Sequence, residues 1–298
     1  MDIYGIIGDP VEHSLSPVMH NAAFKKLDID AEYRKFEVKP EGLEDFLLNK
    51  KDVKGFNITI PHKVKAREIL EKKFPFDENV SQVDLYYVKL SGAVNTVRRM
   101  GNRLEYWNTD PTGFFHSLDE EFDTKTRRTA LLIGCGGAGR AIIASLSWRN
   151  MNINKIYVYD ISAQAIIAAK EYFLNLPQGW GDILEEKLEF ISSKEMPDKI
   201  KNCQLLVNAS PVGMKEGDET SIIDKKWLHK DLSVYDLVYN RETRLVKDAK
   251  EKNLRAVDGR GMLAYQGAFS FSLWTGRKPA EVVGVMRKTL DNALENKK

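Results

Sequence analysis

The chain has 298 residues, of which 43% are hydrophobic, and its 45 basic and 43 acidic residues give a net charge of +2. This length suits two domains of ordinary size, each with a sizeable core. The near balance of charge excludes a strongly basic, polyanion-binding surface, so no nucleic-acid partner is expected. Two cysteines, Cys135 and Cys203, are too few for a disulfide framework and favour a reducing compartment.

No apolar stretch approaches the ~18 residues that span a bilayer, so no membrane partner is expected. The first residues lack a basic segment followed by a long apolar run, which speaks against a signal peptide. We therefore expect a cytoplasmic protein. The sequence also contains no spacing typical of a zinc site, so no metal is expected.

The first third of the chain alternates strands and helices. Strands are predicted at residues 3–8, 33–38 and 55–59, with helices at 16–27, 40–50 and 63–73. Such alternation predicts a largely parallel sheet. Residues 74–91 show no clear period and are predicted as a surface loop with a little helix. Residues 94–98 and 104–107 are predicted as a hairpin around Gly101-Asn102, followed by a helix at 110–121.

A second alternating series begins near residue 129. Strands are predicted at 129–133, 155–160, 188–191, 204–208, 233–239 and 255–257, and helices at 138–148, 163–174, 262–274 and 279–292. The last two helices have no strand partners in the second sheet, so we place them on the first domain. The fold class is thus α/β with two domains. A discontinuous, mostly parallel domain covers 1–108 and is completed by 243–298, and a Rossmann dinucleotide-binding domain covers 109–242.

A glycine-rich string follows the predicted strand at 129–133 and opens a helix. Gly134 allows the tight turn, Gly136 lets the backbone approach a pyrophosphate, and Gly139 permits close packing of helix and strand. Gly137 and Ala138 complete the predicted cofactor-binding string. The alternative is a glycine turn in an α/β domain that binds nothing.

Asp160 ends the next predicted strand, 21 residues after Gly139. A carboxylate there can accept hydrogen bonds from the ribose hydroxyls of a dinucleotide, and it would repel the 2′-phosphate of NADP. The nearest downstream basic residue, Lys170, lies on the far turns of the following helix. NAD is therefore favoured over NADP. The alternative is a solvated turn aspartate.

Several polar strings accompany the glycine string. They are His13-Ser-Leu-Ser-Pro17, Asn57-Ile-Thr-Ile-Pro-His-Lys63, Gly92-Ala-Val-Asn-Thr96, Asn108-Thr-Asp110, Asn208-Ala-Ser-Pro-Val-Gly-Met214, Asp236-Leu-Val-Tyr239 and Gly261-Met-Leu-Ala-Tyr-Gln266. Their content and order resemble those of the shikimate dehydrogenase family over nearly the whole chain. The resemblance implies a reversible, NAD(P)-linked reduction of 3-dehydroshikimate to shikimate. A small-molecule substrate is thus expected, and since the family includes monomers and dimers, a homodimer stays open.

The resemblance also implies roles for single residues. Lys63 and Asp110 match the family's catalytic pair and also contact the substrate; Lys63 would act as an acid and base at the reacting oxygen or as an electrostatic donor. The other substrate-binding positions match Ser14, Ser16, Thr59, Asn95, Tyr239 and Gln266, and the nicotinamide side of the cofactor site matches Asn208, Met214, Leu237 and Gly259. Hydroxyls at a helix N-terminus suit the substrate carboxylate, with Ser16 also predicted as the N-cap of its helix.

The sequence departs from the family pattern at Asp160, where the family has an arginine, and at Arg241, where it has a proline and a loop one residue longer. The first departure favours NAD. A quinate/shikimate dehydrogenase with NAD is the second interpretation, but quinate users tend to have threonine at the place of Ser16. A non-catalytic, ligand-sensing regulator is the third, and the intact Lys63 and Asp110 argue against it.

Overall fold

The computed structural model describes residues 1–76, 82–122, 126, 128–147, 151–176 and 182–295. The chain divides into two compact units. The first consists of Met1–Phe114 and Leu263–Lys298, and the second of Phe115–Met262. Each unit is an α/β structure around its own sheet, which confirms the predicted fold class.

The strands are β1 (Asp2–Gly8), β2 (Ala31–Glu37), β3 (Val53–Ile58), β4 (Thr96–Met100), β5 (Arg103–Trp107), β6 (Arg128–Ile133), β7 (Ile153–Tyr159), β8 (Leu188–Phe190), β9 (Leu205–Asn208), β10 (Ser233–Asp236) and β11 (Ala256–Val257). The helices are α1 (Ser16–Lys26), α2 (Leu43–Asn49), α3 (Lys63–Lys73), α4 (Gln82–Ser91), α5 (Asp110–Glu121), α6 (Gly137–Leu146), α7 (Ala163–Leu174), α8 (Asp182–Lys187), α9 (Met196–Lys199), α10 (Arg244–Glu251), α11 (Arg260–Thr275) and α12 (Pro279–Glu295). None of the helices in the described ranges is long and apolar enough to cross a membrane.

The first unit contains a five-stranded sheet in the order β2-β1-β3-β4-β5. β1 pairs in parallel with β2 and β3, whereas β4 is antiparallel to both of its neighbours. A core of buried aliphatic and aromatic side chains, among them Phe56, Leu70 and Val97, packs on this sheet. Helix α12 packs against α1, and both belong to the first unit.

The second unit contains a six-stranded parallel sheet in the order β11-β10-β9-β6-β7-β8. When these six strands are numbered 1 to 6 in chain order and read from the β8 edge, they follow the 3-2-1-4-5-6 order of the Rossmann fold. Leu131, Leu206 and Val234 belong to its buried core. These central strands read as continuous apolar runs because parallel strands are covered on both faces.

The structure differs from the sequence prediction in four places. Residues 82–91 form α4, where a loop with only a little helix is predicted, while 77–81 lie outside the described residues. Pro40 opens a separate 3-10 turn before α2 begins. Leu15 holds the N-cap position of α1, so Ser16 is the first helical residue instead of the cap. Residues 243–262 lie in the second unit, because β11 extends its sheet by pairing with β10.

Candidate active site

Polar segments of the first unit meet at one edge of its sheet. β1 and β3 are parallel neighbours, so the segments after Gly8 and Ile58 leave the sheet at the same edge. The antiparallel pairing of β4 brings its start, and the end of β5, to that edge as well. There the backbone NH of Asn95 donates to the carbonyl of Trp107 at 3.1 Å. The polar strings that follow β3, precede β4 and follow β5 are therefore close together.

Lys63 and Asp110 form an ion pair at this edge. Nζ of Lys63 lies 2.5 Å from Oδ2 of Asp110, and their side chains are only 12% and 6% exposed. Both residues begin helices, α3 and α5. A carboxylate is favoured at a helix N-terminus and an ammonium is not, so the position of Lys63 costs free energy that Asp110 offsets. A residue that breaks a local rule in this way is a candidate for a chemical role.

Asn95 holds the carboxylate of Asp110. Its Nδ2 donates to Oδ1 of Asp110 at 2.8 Å and lies 3.3 Å from Oε1 of Gln266, and its Oδ1 accepts from the backbone NH of Thr109 at 2.8 Å. Asp110 thus has one oxygen on an ammonium and the other on an amide. Within the described part of the chain, Asp110 is the one acceptor found for the Lys63 ammonium. Because an ammonium has three N–H donors, others remain for a substrate oxygen.

A second buried amide, that of Asn57, is hydrogen-bonded to this cluster. Its Nδ2 donates to the carbonyl of Asn95 at 3.1 Å and to Oγ of Ser270 at 2.9 Å, and its Oδ1 accepts from the hydroxyl of Tyr33 at 2.8 Å. Asn57 therefore connects the start of β4 to α11. Sequence reasoning missed Ser270, although it lies one helical turn after Gln266, the spacing that places two residues on one helix face.

Four of the predicted substrate-site residues come together: Lys63, Asp110, Asn95 and Gln266. The other three of the first unit are Ser14, Ser16 and Thr59, and their hydrogen bonds in the described structure are with residues outside this group of four. The NH of Thr59 donates to the carbonyl of Ile7 at 2.9 Å. The hydroxyl oxygen of Ser14 accepts from the NH of the buried Ser16, the first residue of α1, at 3.2 Å. Tyr239 belongs to the second unit, and its role in substrate binding stays a prediction.

The glycine-rich turn of the second unit lies between β6 and α6, at the point where the strand order reverses. Gly134 has a φ of +97°, and a Cβ on it would lie 2.8 Å from the backbone of Ala209. A Cβ on Gly139 would lie 2.0 Å from the carbonyl oxygen of Gly134. A Cβ on Gly136 would meet no described atom within 4 Å. This open space at the N-terminus of α6 fits a pyrophosphate.

Asp160 holds this turn in place. Its Oδ2 accepts from the backbone NH of Cys135, and its Oδ1 from that of Ser162, both at 2.8 Å. Burial, with a smaller contribution from the charge of Asp160, raises the pKa of the Cys135 thiol to about 12. Asp160 is thus more than a solvated turn residue, and its carboxylate stands beside the predicted pyrophosphate site.

Asn208 ends β9 and is bound to Asp236 at the end of β10. Its Nδ2 donates to Oδ1 of Asp236 at 2.9 Å, and its Oδ1 accepts from the hydroxyl of Ser210 at 2.6 Å. Asp236 also accepts from the NH of Val238 at 3.0 Å and from the hydroxyl of Thr243 at 2.6 Å. Burial raises the pKa of Asp236 to about 6. Sequence reasoning quoted Asp236 only as part of a string and gave it no role.

The remaining predicted cofactor residues lie in the loops that follow β9, β10 and β11. Met214 is 37% exposed. A Cβ on Gly259 would lie 2.2 Å from the carbonyl oxygen of Leu237, so only glycine fits there. The NH of Gly259 donates to the carbonyl of Val238 at 3.1 Å. In the described residues, no group of three or more His, Cys, Asp or Glu side chains is arranged to hold a metal ion.

A six-stranded parallel sheet with a glycine-rich turn at its switch point defines the second unit as a dinucleotide-binding fold of the Rossmann class. Comparison with known proteins narrows this class. Residues 6–97 match the family model of the shikimate dehydrogenase substrate binding domain, and residues 259–290 match that of the shikimate 5'-dehydrogenase C-terminal domain.

Among curated relatives, a shikimate dehydrogenase (NADP(+)) of Methanopyrus kandleri is 37% identical over 289 residues, which cover 95% of this chain and 93% of the relative. The crystal structure of the Thermus thermophilus shikimate 5-dehydrogenase with NADP(H) and shikimate matches with a TM-score of 0.77 and 31% identity, covering 97% of this chain and all of that one. The Listeria monocytogenes shikimate 5-dehydrogenase, in complex with shikimate and NAD, matches with a TM-score of 0.78 and 27% identity, covering 97% and 96%.

The chain belongs to the shikimate dehydrogenase family, a family of oxidoreductases. The resemblance in the sequence motifs is thereby confirmed. The relatives differ in the dinucleotide that their names carry, and NADP is named more often than NAD. The names of these relatives do not confirm the NAD preference expected from Asp160.

Proposed function

We propose that this chain catalyses the reversible reduction of 3-dehydroshikimate to shikimate with a nicotinamide dinucleotide. The observation that carries the proposal is the buried contact between Lys63 and Asp110, held in place by Asn95. An ammonium that is positioned by a carboxylate and largely shielded from water can hold a hydrogen bond to an oxygen whose charge changes during the reaction. The relatives named above as shikimate dehydrogenases support the choice of substrate.

A nicotinamide dinucleotide held at the turn from Gly134 to Gly139 would supply or accept the hydride at the reacting carbon. Lys63 donates to the adjacent oxygen, gives it a proton or stabilises its charge during reduction, and reverses this role during oxidation. Asp110 keeps the ammonium in place, and Asn95 fixes the carboxylate of Asp110 through its second oxygen. Because each partner is itself held, the reacting oxygen meets a donor that needs little reorganisation.

The substrate is an anion with several hydroxyl groups. We assign its carboxylate to Ser14 and Ser16, whose hydroxyls stand at the N-terminus of α1, where the helix dipole favours a negative charge. The hydroxyl groups of the acid are assigned to Thr59, Gln266 and Tyr239. Gln266 supports this assignment because it already contacts Asn95 within the polar cluster.

The second unit carries the residues for the cofactor. The pyrophosphate is assigned to the turn from Gly134 to Gly139, where the open space at Gly136 fits it. We further propose that this chain prefers NAD, because the carboxylate of Asp160 stands beside that turn and would repel a 2′-phosphate. Lys170, the one basic residue in 159–176, lies with its Nζ 5.6 Å from the ring centroid of Phe190.

A steady-state matrix of shikimate and quinate against NAD and NADP, read at the absorbance of the reduced cofactor, tests these assignments. We expect turnover of shikimate, with kcat/KM about tenfold higher for NAD than for NADP, the effect of roughly one unfavourable charge contact. Higher kcat/KM for NADP would overturn only the proposed NAD preference. Faster turnover of quinate than of shikimate would show that quinate is the preferred substrate. Binding without turnover of either acid would overturn the proposed activity and favour the regulator.

Asp160→Asn provides a matched variant. It removes the charge and keeps one oxygen that can accept from the NH of Cys135 or Ser162. We expect the ratio of kcat/KM for NADP to that for NAD to rise about tenfold, since repulsion of the 2′-phosphate is lost. An unchanged ratio would show that Asp160 serves the turn and not the choice of cofactor.

A further inference from the structure

Arg241 stands directly after Asn240, where the family pattern has a proline. Its side chain is 21% exposed and contacts one loop at three positions. Nη1 donates to the backbone carbonyls of Lys215 at 2.7 Å and Asp218 at 3.0 Å, and Nη2 donates to Oε1 of Glu219 at 2.6 Å. A proline has no side-chain donor for any of these contacts. They are therefore a property of this arginine.

The contacted loop, residues 213–220, is called the Met214 loop below. Within it, the carboxylate of Asp218 accepts from the backbone NH of Gly213 and from that of Thr220, both at 2.9 Å. A hydrogen bond from the side chain of Thr220 is the largest cause that lowers the pKa of Asp218 to about 2, and the two backbone NH groups lower it further. From outside, Nδ2 of Asn240 donates to the carbonyl of Met214 at 2.8 Å. The adjacent residues Asn240 and Arg241 thus contact the Met214 loop both near its start, at residues 214 and 215, and near its end, at residues 218 and 219.

Polar contacts have to order the Met214 loop, because it buries little apolar surface. Lys215, Glu216, Gly217 and Glu219 are exposed, and Gly217 adopts a φ of +76°. Fixing such a segment costs conformational entropy at every residue. The guanidinium of Arg241 makes charge-assisted hydrogen bonds, which are stronger than those between neutral groups. Its loss therefore leaves the loop with fewer of the contacts that offset this cost.

The position of these contacts in the fold links them to the cofactor. The Met214 loop follows β9 and Arg241 follows β10, and these strands are parallel neighbours. Arg241 therefore joins the loops of two adjacent strands at the carboxyl edge of the sheet. That edge is where ligands bind in open α/β sheets. Gly213 lies directly against Thr243, which a Cβ on Gly213 would approach to 2.8 Å, so the start of the loop is close-packed.

We infer that Arg241 is a positioning residue for the nicotinamide side of the cofactor site: it holds the Met214 loop so that Met214 stands where the ring binds. This inference rests on the proposed function and on the family resemblance, which implies that Met214 lies on that side of the cofactor site. Arg241 takes over the role of rigidifying the loop after Asn240 that a proline has through its fixed φ. The arginine achieves this through contacts with a second loop.

Three variants test the inference: Arg241→Ala, Arg241→Lys, and Arg244→Ala as the matched control. Arg244 is a neighbouring arginine that pairs with Asp248 on its own helix and makes no hydrogen bond or ion pair with the Met214 loop in the described structure. For Arg241→Ala we expect kcat/KM for the dinucleotide to fall about tenfold, the usual effect of losing hydrogen bonds to a charged donor. KM for shikimate should stay within about twofold. Arg241→Lys, with a compact ammonium, should lie between Arg241→Ala and the unchanged protein.

The pattern of the effects separates positioning from general stability. The inference would be overturned if kcat/KM fell equally for the dinucleotide and for shikimate, or if its decrease followed a lower Tm. Unchanged kinetics of Arg241→Ala would also overturn it. If the unchanged protein has no turnover, the proposed function fails, and the inference is read instead from the Kd for NAD by quenching of tryptophan fluorescence. A Kd that is the same in Arg241→Ala and the unchanged protein would then overturn it, whereas a Kd about tenfold higher in Arg241→Ala alone would support it.

Discussion

Each unit buries an aspartate among amides and hydroxyls, but the two carboxylates have different partners. Asp110 in the first unit contacts the ammonium of Lys63 at 2.5 Å. Asp236 in the second unit accepts from neutral groups of Asn208, Val238 and Thr243. Burial raises the pKa of Asp236 to about 6 in spite of these three donors. The buried carboxylate of Asp110 thus has a cation as partner, whereas that of Asp236 has neutral donors that belong to neighbouring loops.

A second contrast concerns the response of the units to acid. His20 of α1 is fully buried and stacks on Tyr33 with ring centroids 4.3 Å apart. Neither of its ring nitrogens has a hydrogen-bond partner within the described part of the chain. Burial lowers the pKa of His20 to about 3. Acid should therefore weaken the first unit through His20 and strengthen the second through Asp236, because burial disfavours the charged form of both.

The largest effect is expected from Lys63→Ala. Removing the ammonium leaves the reacting oxygen without its donor, so kcat should fall by roughly 10²–10⁴. Steady-state kinetics with shikimate measure this loss. Lys65→Ala is the matched control, since Lys65 lies on the same helix, is exposed and pairs with Glu68.

Removing Lys63 also leaves the buried Asp110 without its cation, which destabilises the first unit. Thermal unfolding of the variant is therefore measured beside its kinetics, at a temperature where the protein is folded. A folded Lys63→Ala protein with kcat within tenfold of the unchanged protein would remove Lys63 from the mechanism and end the contrast between the two aspartates.

His20→Phe keeps an aromatic ring at the stacked position and removes the titrating group. In the unchanged protein the unfolded state binds a proton on His20 below pH 6.5 and the folded state only near pH 3, so stability is lost as the pH falls between these values. From pH 7 to pH 4 this loss amounts to about 3 kcal/mol, which the variant should not show. Urea unfolding at several pH values gives the free energy of unfolding as a function of pH for both proteins. Parallel curves for the variant and the unchanged protein would contradict the prediction.

Asp236→Asn should show the opposite sign and a smaller size. The pKa of Asp236 is raised in the folded state, so its contribution to stability is full below pH 3.8 and is lost as the pH rises through about 6. The unchanged protein should gain about 2 kcal/mol relative to the variant between pH 7 and pH 4. The same urea series measures it. A difference that does not vary with pH would show that Asp236 is ionised in the folded protein throughout this range.

Most of the secondary structure could be predicted from local patterns. The helix over 63–73 and the hairpin around Gly101-Asn102 agree with the structure, because helix period and turn residues are local properties of the chain. The extent of helix α4 was underestimated, since its start lies beside a polar, aperiodic segment. The boundary at 243 was wrong because β11 has only two residues, and its pairing with β10 decides where the segment belongs.

The candidate site could be predicted as a set of residues but not as an arrangement. Motif strings identified Lys63, Asp110, Asn95 and Gln266, which the structure brings together. Ser270 was missed, since its signal is only its position one turn after Gln266. The role of Arg241 was missed as well, because its partners in the Met214 loop lie 22 to 26 residues earlier in the chain.

The sequence by itself determined the α/β class, the glycine-rich turn, the family and the chemical groups available for a reaction, because periodicity, turn chemistry and residue type act over a few neighbouring positions. Only the tertiary structure decided which of these groups meet. Lys63 and Asp110 are 47 residues apart and become partners because β3, β4 and β5 bring their ends to one edge of a sheet. Strand pairing also decided that Asp236 is buried among neutral donors, since burial depends on everything that packs around a residue and not on its neighbours in the chain.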